Sequence, residues 1–94
     1  MKTQSFASVW DAIEKTPAEA ASMKAKSALM MAVHSAIEGW DVTQSQAAKR
    51  LKITQPRLND LLRGRIEKFS LDALVELATR AGLSVRMKIA KQAA

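Results

Sequence analysis

The densest structural signal in the chain is Gln44-Ser45-Gln46-Ala47-Ala48-Lys49-Arg50-Leu51-Lys52-Ile53-Thr54-Gln55-Pro56-Arg57-Leu58-Asn59-Asp60-Leu61. It reads as two short helices joined by a turn of about three residues. Helices that cross steeply need small side chains where their backbones approach, and Ala47 and Ala48 supply them. Leu51 and Ile53 bracket the turn, while Leu58 and Leu61 mark the inner face of the second helix. Thr43 and Thr54 stand at the two N-cap positions, and Gln46 completes a capping box with Thr43. Pro56 falls in a first turn, where its missing N–H leaves no bond unmade. Such a pair holds its second helix proud of the domain, free to enter a major groove about 12 Å wide.

Upstream, Thr16-Pro17-Ala18-Glu19 is a helix start: a capping threonine, a proline at the first helical position and a glutamate three residues on. That helix should run to Glu38 and stop at Gly39. Leu29, Val33, Ala36, Ile37 and Trp40 step by three and four into one apolar stripe, which Met23, Met30 and Met31 widen. Downstream, the reading helix extends over residues 55–63 and closes at Gly64, and another helix begins at Phe69-Ser70 and ends near Ala81, with Gly82 as its stop. Residues 83–90 then alternate strictly between apolar and polar, the period of a half-buried strand. Residues 6–13 form a short apolar cluster in which Ser8 can cap one or two helical turns.

A chain of 94 residues allows one small domain with a thin core. It has no cysteine and one histidine, which removes disulfide scaffolds, thiolate metal sites and cysteine nucleophiles. His34, alone within a helix, reads as a structural or surface residue. No triad, metal cluster or phosphate-binding glycine loop is visible, so an enzyme, a cofactor and a small-molecule substrate are not expected. The chain lacks a membrane-length apolar run and a signal peptide, and a cytoplasmic location is expected. Net charge is +6, and the excess is local: Lys49, Arg50, Lys52, Arg57, Arg63, Arg65 and Lys68 face only Asp60 and Glu67. Nucleic acid is the commonest partner of such a face; a solvated surface is the alternative.

These segments resemble the Xre/Cro-type family of phage-repressor-like domains. The resemblance is carried by residues 42–51, by Ile53-Thr54-Gln55-Pro56-Arg57-Leu58 and by Leu61-Leu62-Arg63-Gly64. Phe6-Ala7-Ser8-Val9-Trp10-Asp11-Ala12-Ile13, Gln55-Pro56-Arg57 and Phe69-Ser70-Leu71-Asp72 are similar to a subgroup of HigA-like antitoxins. The implied fold is mainly all-α, a four-to-five-helix domain with one C-terminal strand paired across a dimer. Residues 1–15 would be an arm or short helix, 16–82 the DNA-binding domain, 83–90 the dimerisation strand and 91–94 a tail. Lys52 departs from the glycine the family usually carries at the turn; if the turn needs positive φ there, lysine costs about 1 kcal/mol.

On the helical wheel Pro56, Asn59, Asp60 and Arg63 point away from the buried leucines, and Gln55 and Arg57 flank the exposed first turn. In the resembling repressors the positions matching Thr54, Gln55, Pro56 and Asp60 lie at or near bases. Gln55 can pair with adenine, Arg57 with guanine and Asp60 with a cytosine amine, while the Pro56 ring can touch a thymine methyl. Thr43, Gln44, Arg63, Arg65 and Lys68 are the expected phosphate contacts. In the plainer alternative, Asp60 makes surface ion pairs with Arg57 and Arg63 worth ~0.2–0.5 kcal/mol.

One strand cannot make a sheet, so the segment bearing Leu83, Val85, Met87 and Ile89 is expected to pair with its copy in a homodimer. A strand offered to another protein, fraying, or pairing with residues 3–8 remain open. Phe6, Val9, Trp10 and Ile13 either cover the first helix or dock on a toxin. By resemblance the protein represses its own operon at an inverted-repeat DNA operator and neutralises a HigB/RelE-like toxin. A stand-alone regulator, a protein-interaction module and, remotely, a membrane-surface helix are the rivals.

Overall fold

The structure is a computed structural model describing residues 16–92. Four α-helices follow in order: α1 (Pro17–Glu38), α2 (Gln44–Leu51), α3 (Gln55–Leu62) and α4 (Leu71–Arg80), with a single 3-10 turn, Ile66–Lys68, between the last two. Each α-helix starts where a hydroxyl cap stands. At α1 the Thr16 N–H donates to Glu19 Oε1 (2.8 Å) and the Glu19 N–H to Thr16 Oγ1 (3.0 Å). Thr43 and Gln46 repeat this box at α2 (3.0 and 3.1 Å). Thr54 accepts from the Arg57 N–H at α3, and Ser70 from the Ala73 N–H at α4.

Three helices end in one way. A residue in left-handed conformation lets the next amide reach the carbonyl five residues back. The amide of Arg65 reaches Asp60 O past Gly64, that of Leu83 reaches Ala78 O past Gly82, and that of Ile53 reaches Ala48 O past Lys52, at 2.9–3.0 Å. At the third site the left-handed residue is a lysine, with φ 59° and ψ 43°. The condition attached to Lys52 in the sequence is therefore met. Gly39 ends α1 as expected, but in right-handed conformation, and Asp41 takes the positive φ of that loop.

The core joins Met30, Val33 and Ile37 of α1 to Ala47, Ala48 and Leu51 of α2, Leu58 and Leu61 of α3, and Phe69, Leu74, Leu77, Ala78 and Ala81 around α4. Val33, Leu51, Leu58 and Leu74 have no exposed surface. Truncating such a leucine to alanine typically costs 2–5 kcal/mol, roughly a third of a small domain's stability. Met31 departs from its expected place in the stripe and lies 67% exposed, because the stripe turns past it toward Met30 and Val33.

The expected C-terminal strand is a correction. Residues 83–92 contain no strand, and among the described residues no backbone hydrogen bond is made beyond the Leu83 amide. Alternation alone does not create a ladder; a second strand must supply the other half of each bond. The pairing of residues 83–90 across a dimer is likewise not found in this single chain. Leu83 does pack against the core, but exposure grows along the segment: 41% at Val85, 79% at Met87 and 85% at Ile89. Phe6, Val9, Trp10, Ile13 and residues 3–8 lie outside the described residues.

Replacing Lys52 by glycine should relieve the left-handed strain and stabilise the domain by about 1 kcal/mol, raising Tm by ~4–8 °C. Thermal unfolding followed by circular dichroism reads this directly, and an unchanged or lowered Tm would contradict it.

Candidate nucleic-acid interface

The three-residue link from Leu51 to Gln55 presses α3 against α2 through Ala47, Ala48, Leu51, Leu58 and Leu61, all buried. The opposite side of α3 is open. Gln55, Pro56, Asn59 and Arg63 are exposed and share that face at helical spacing. Neither Gln55 nor Asn59 makes a side-chain hydrogen bond among the described residues. Arg63, assigned from the sequence to phosphate, stands on this same face, where the helical wheel placed it.

Arg57 and Asp60 are turned differently. The Arg57 guanidinium lies 4.0 Å from the centroid of the buried Phe69 ring and donates to the Lys68 carbonyl at 2.7 Å. A cation over an aromatic face contributes ~0.5–2 kcal/mol, and the added bond closes a long loop between α3 and the 3-10 turn. Arg57 thus braces the domain with the group that was expected to reach guanine. Asp60, partly buried, lies 3.8 Å from Arg65 Nε and 3.9 Å from Lys68 Nζ. Its ion pairs run to the loop beyond α3, not to Arg57 and Arg63. With both bases more than a third exposed, each pair contributes well under ~1 kcal/mol, and its effect is to gather the two cations at one end of α3.

Thr43 and Thr54 use their oxygens as helix caps, and their hydroxyl protons stay free to donate. Gln44 is exposed at the start of α2. Lys49, Lys52 and Arg63 make no ion pair among the described residues. Arg50 lies over the Trp40 ring at 4.0 Å, a contact that ties α2 to the end of α1. Neither ring contact was foreseen, because Trp40 and Phe69 are remote in sequence from their arginines. His34 lies 3.8 Å from Glu38 on the surface of α1, and no metal-holding cluster of His, Cys, Asp or Glu occurs among the described residues. Nor is any described helix long and apolar enough to cross a membrane.

Comparison with known proteins agrees with this geometry. A helix-turn-helix domain family matches residues 12–90. A solved structure described as a candidate XRE-family transcriptional regulator superposes with a TM-score of 0.70 at 30% identity, over 76% of this chain and 80% of that one. The chain belongs to the XRE-type helix-turn-helix family. No curated protein matches it significantly. Within this XRE-type chain the resemblance seen in the sequence holds at the level of fold and family.

Arg57→Ala should destabilise the domain by about 1–2 kcal/mol in urea unfolding, whereas a solvated reading residue would change stability by less than ~0.5 kcal/mol. Arg57→Lys should recover little of the loss, since an ammonium cannot both stack flat and donate to Lys68 O.

Proposed function

We propose that the chain is a sequence-specific DNA-binding transcription regulator that represses as a homodimer. The observation that carries this reading is the open face of α3: Gln55, Pro56, Asn59 and Arg63 are exposed, and Asp60 gathers two further exposed cations, Arg65 and Lys68, at the end of the helix. Gln55 and Asn59 read base edges, each suited to the paired acceptor and donor of adenine. Arg63 reaches a guanine or a phosphate. Thr43 and Gln44 at the start of α2 hold one backbone segment, and Arg65 and Lys68, gathered by Asp60, hold the other. Two copies related by a two-fold axis require an inverted-repeat operator with half-sites about one helical turn apart.

The finer reading is that of a HigA-like antitoxin whose residues Phe6, Val9, Trp10 and Ile13 dock on a HigB/RelE-like toxin. It is supported by the likeness of residues 6–13 to that subgroup. A stand-alone regulator is favoured by the description of the solved relative, which names a transcriptional regulator and nothing more. Co-expression with the product of the adjacent reading frame separates the two. Rescue of growth that is lost in Trp10→Ala supports the antitoxin, and absence of any toxic neighbour supports the stand-alone regulator.

Fluorescence anisotropy against the upstream duplex and a scrambled one tests the DNA-binding reading. Specific binding should exceed non-specific by ~10³ or more. Gln55→Ala and Asn59→Ala should each weaken specific binding by ~1–3 kcal/mol with the fold intact. Lys68→Ala should weaken both duplexes alike and lower the salt slope by about 1. Equal, weak binding to both duplexes would remove the proposal.

A further inference from the structure

Between its buried leucines and its open face, α3 has a third side, formed by Arg57 and Asp60 one turn apart. Gly64, with φ 73°, reverses the chain after the helix, and the next five residues run back along this side. Asp60 meets Arg65, and Arg57, a turn earlier in the helix, meets Lys68 and Phe69. Lys68 is gripped at two points. Its carbonyl accepts from the Arg57 guanidinium at 2.7 Å, and its Nζ lies 3.9 Å from the Asp60 carboxylate, yet its side chain stays 47% exposed. Arg65 is held in the same manner: its N–H donates to the Asp60 carbonyl at 3.0 Å, its Nε lies 3.8 Å from the carboxylate, and its side chain is 43% exposed. Both cations are fixed in place and open to solvent.

Covering the core does not by itself account for a guanidinium at residue 57. Phe69 is 1% exposed, and an apolar side chain would cover its ring as well. What a guanidinium adds is a bond to the Lys68 carbonyl made while it lies flat on the ring. The backbone bonds of the 3-10 turn, Lys68 N–H to Arg65 O and Phe69 N–H to Ile66 O, are internal to it. Past the Arg65 amide, no backbone–backbone hydrogen bond joins this turn to α3 among the described residues, and the Arg57 bond supplies the tie. Base reading does not account for Arg57 either, because a guanidinium at a base edge would have left both the ring and the carbonyl. A long cationic side chain on a loose loop must be ordered when it meets a phosphate, which weakens binding, and a turn ordered beforehand avoids that loss.

We infer that Arg57 is a positioning residue for DNA binding: by tying the Lys68 carbonyl to α3 it fixes residues 65–68, so that Arg65 and Lys68 meet the DNA backbone already in place. Arg57 itself touches no nucleotide. This inference rests on the DNA-binding reading above and names the residue that orders one of its two backbone contacts.

Arg57→Lys tests it, because the charge is kept while the flat, bonded geometry is lost. Hydrogen exchange comes first and needs no DNA. The Lys68 and Phe69 amides should exchange about tenfold faster than in the wild type, beyond any general acceleration registered by the buried Val33 of α1. Binding to the upstream and scrambled duplexes is then measured at a temperature where circular dichroism shows both proteins fully folded. Arg57→Lys should weaken both duplexes alike, by ~3–10-fold, although no charge has been removed. The fold-change caused by Lys68→Ala should be roughly threefold smaller in Arg57→Lys than in the wild type, since the lysine removed is no longer held in place. Unaltered exchange at Lys68 and Phe69 would overturn the tie. Wild-type affinity in the folded variant, or fold-changes that simply multiply, would leave Arg57 a stabilising residue only and overturn its role in binding. Loss confined to the upstream duplex would make Arg57 a base reader, against the inference. Equal, weak binding of the wild type to both duplexes is a separate failure, that of the DNA-binding reading, and takes this role with it.

Discussion

The left-handed turn at Lys52 is the constraint from which the arrangement of the domain follows. With only three residues between α2 and α3, the direction of α3 is determined by the backbone at that point. The positive φ turns the Ile53 amide back onto Ala48 and lets Leu51 and Leu58, neither with any exposed surface, meet in the core. If residue 52 relaxed to a right-handed conformation, α2 would simply continue, and the buried side of α3 would rotate into solvent. The strain of about 1 kcal/mol is small beside the burial it permits, which explains how a lysine can hold the position.

The basic stretch from Lys49 to Lys68 divides into three physical roles once folded. Arg57 and Arg50 lie over aromatic rings and join elements of the domain. Arg65 and Lys68 are gathered by Asp60, which sets where their charge sits while leaving both exposed. Lys49, Lys52 and Arg63 are left without an ion-pair partner among the described residues. Net charge treats these seven residues as one patch. Their geometry makes some of them scaffold and the others the available field.

What was legible in the sequence follows from the range of the interactions involved. Caps, glycine stops and leucine spacing are local, and Thr16, Thr43, Thr54, Ser70, Gly64 and Gly82 all act where the chain announces them. The open face of α3 was legible in outline for the same reason, since a wheel needs only the leucines that define its buried side. The contacts of Arg57 and Asp60 were not legible because their partners lie outside the helix: Phe69 and the Lys68 carbonyl for one, Arg65 and Lys68 for the other. A wheel places a side chain at an angle and is silent about what waits there. The C-terminal alternation was read correctly as a pattern and incorrectly as an element, because a strand is a relation between two segments and one chain supplies one.

The two ends of the molecule are mechanically joined through α4. Near its C-terminal end, Arg80 pairs with Glu76 at 3.2 Å and donates to the Leu51 carbonyl at 3.0 Å, one of the acceptors left open where α2 ends. Two residues later the chain turns at Gly82 into the segment that carries Val85. The path from that segment to the turn at Lys52 therefore runs through one helix, one side chain and one hydrogen bond. Rigid helices transmit position with little loss, so a partner that immobilises residues 83–89 also sets where α3 lies relative to its copy. In the homodimer proposed above, the spacing of the two α3 helices would then depend on α4 and Arg80 as much as on α3 itself.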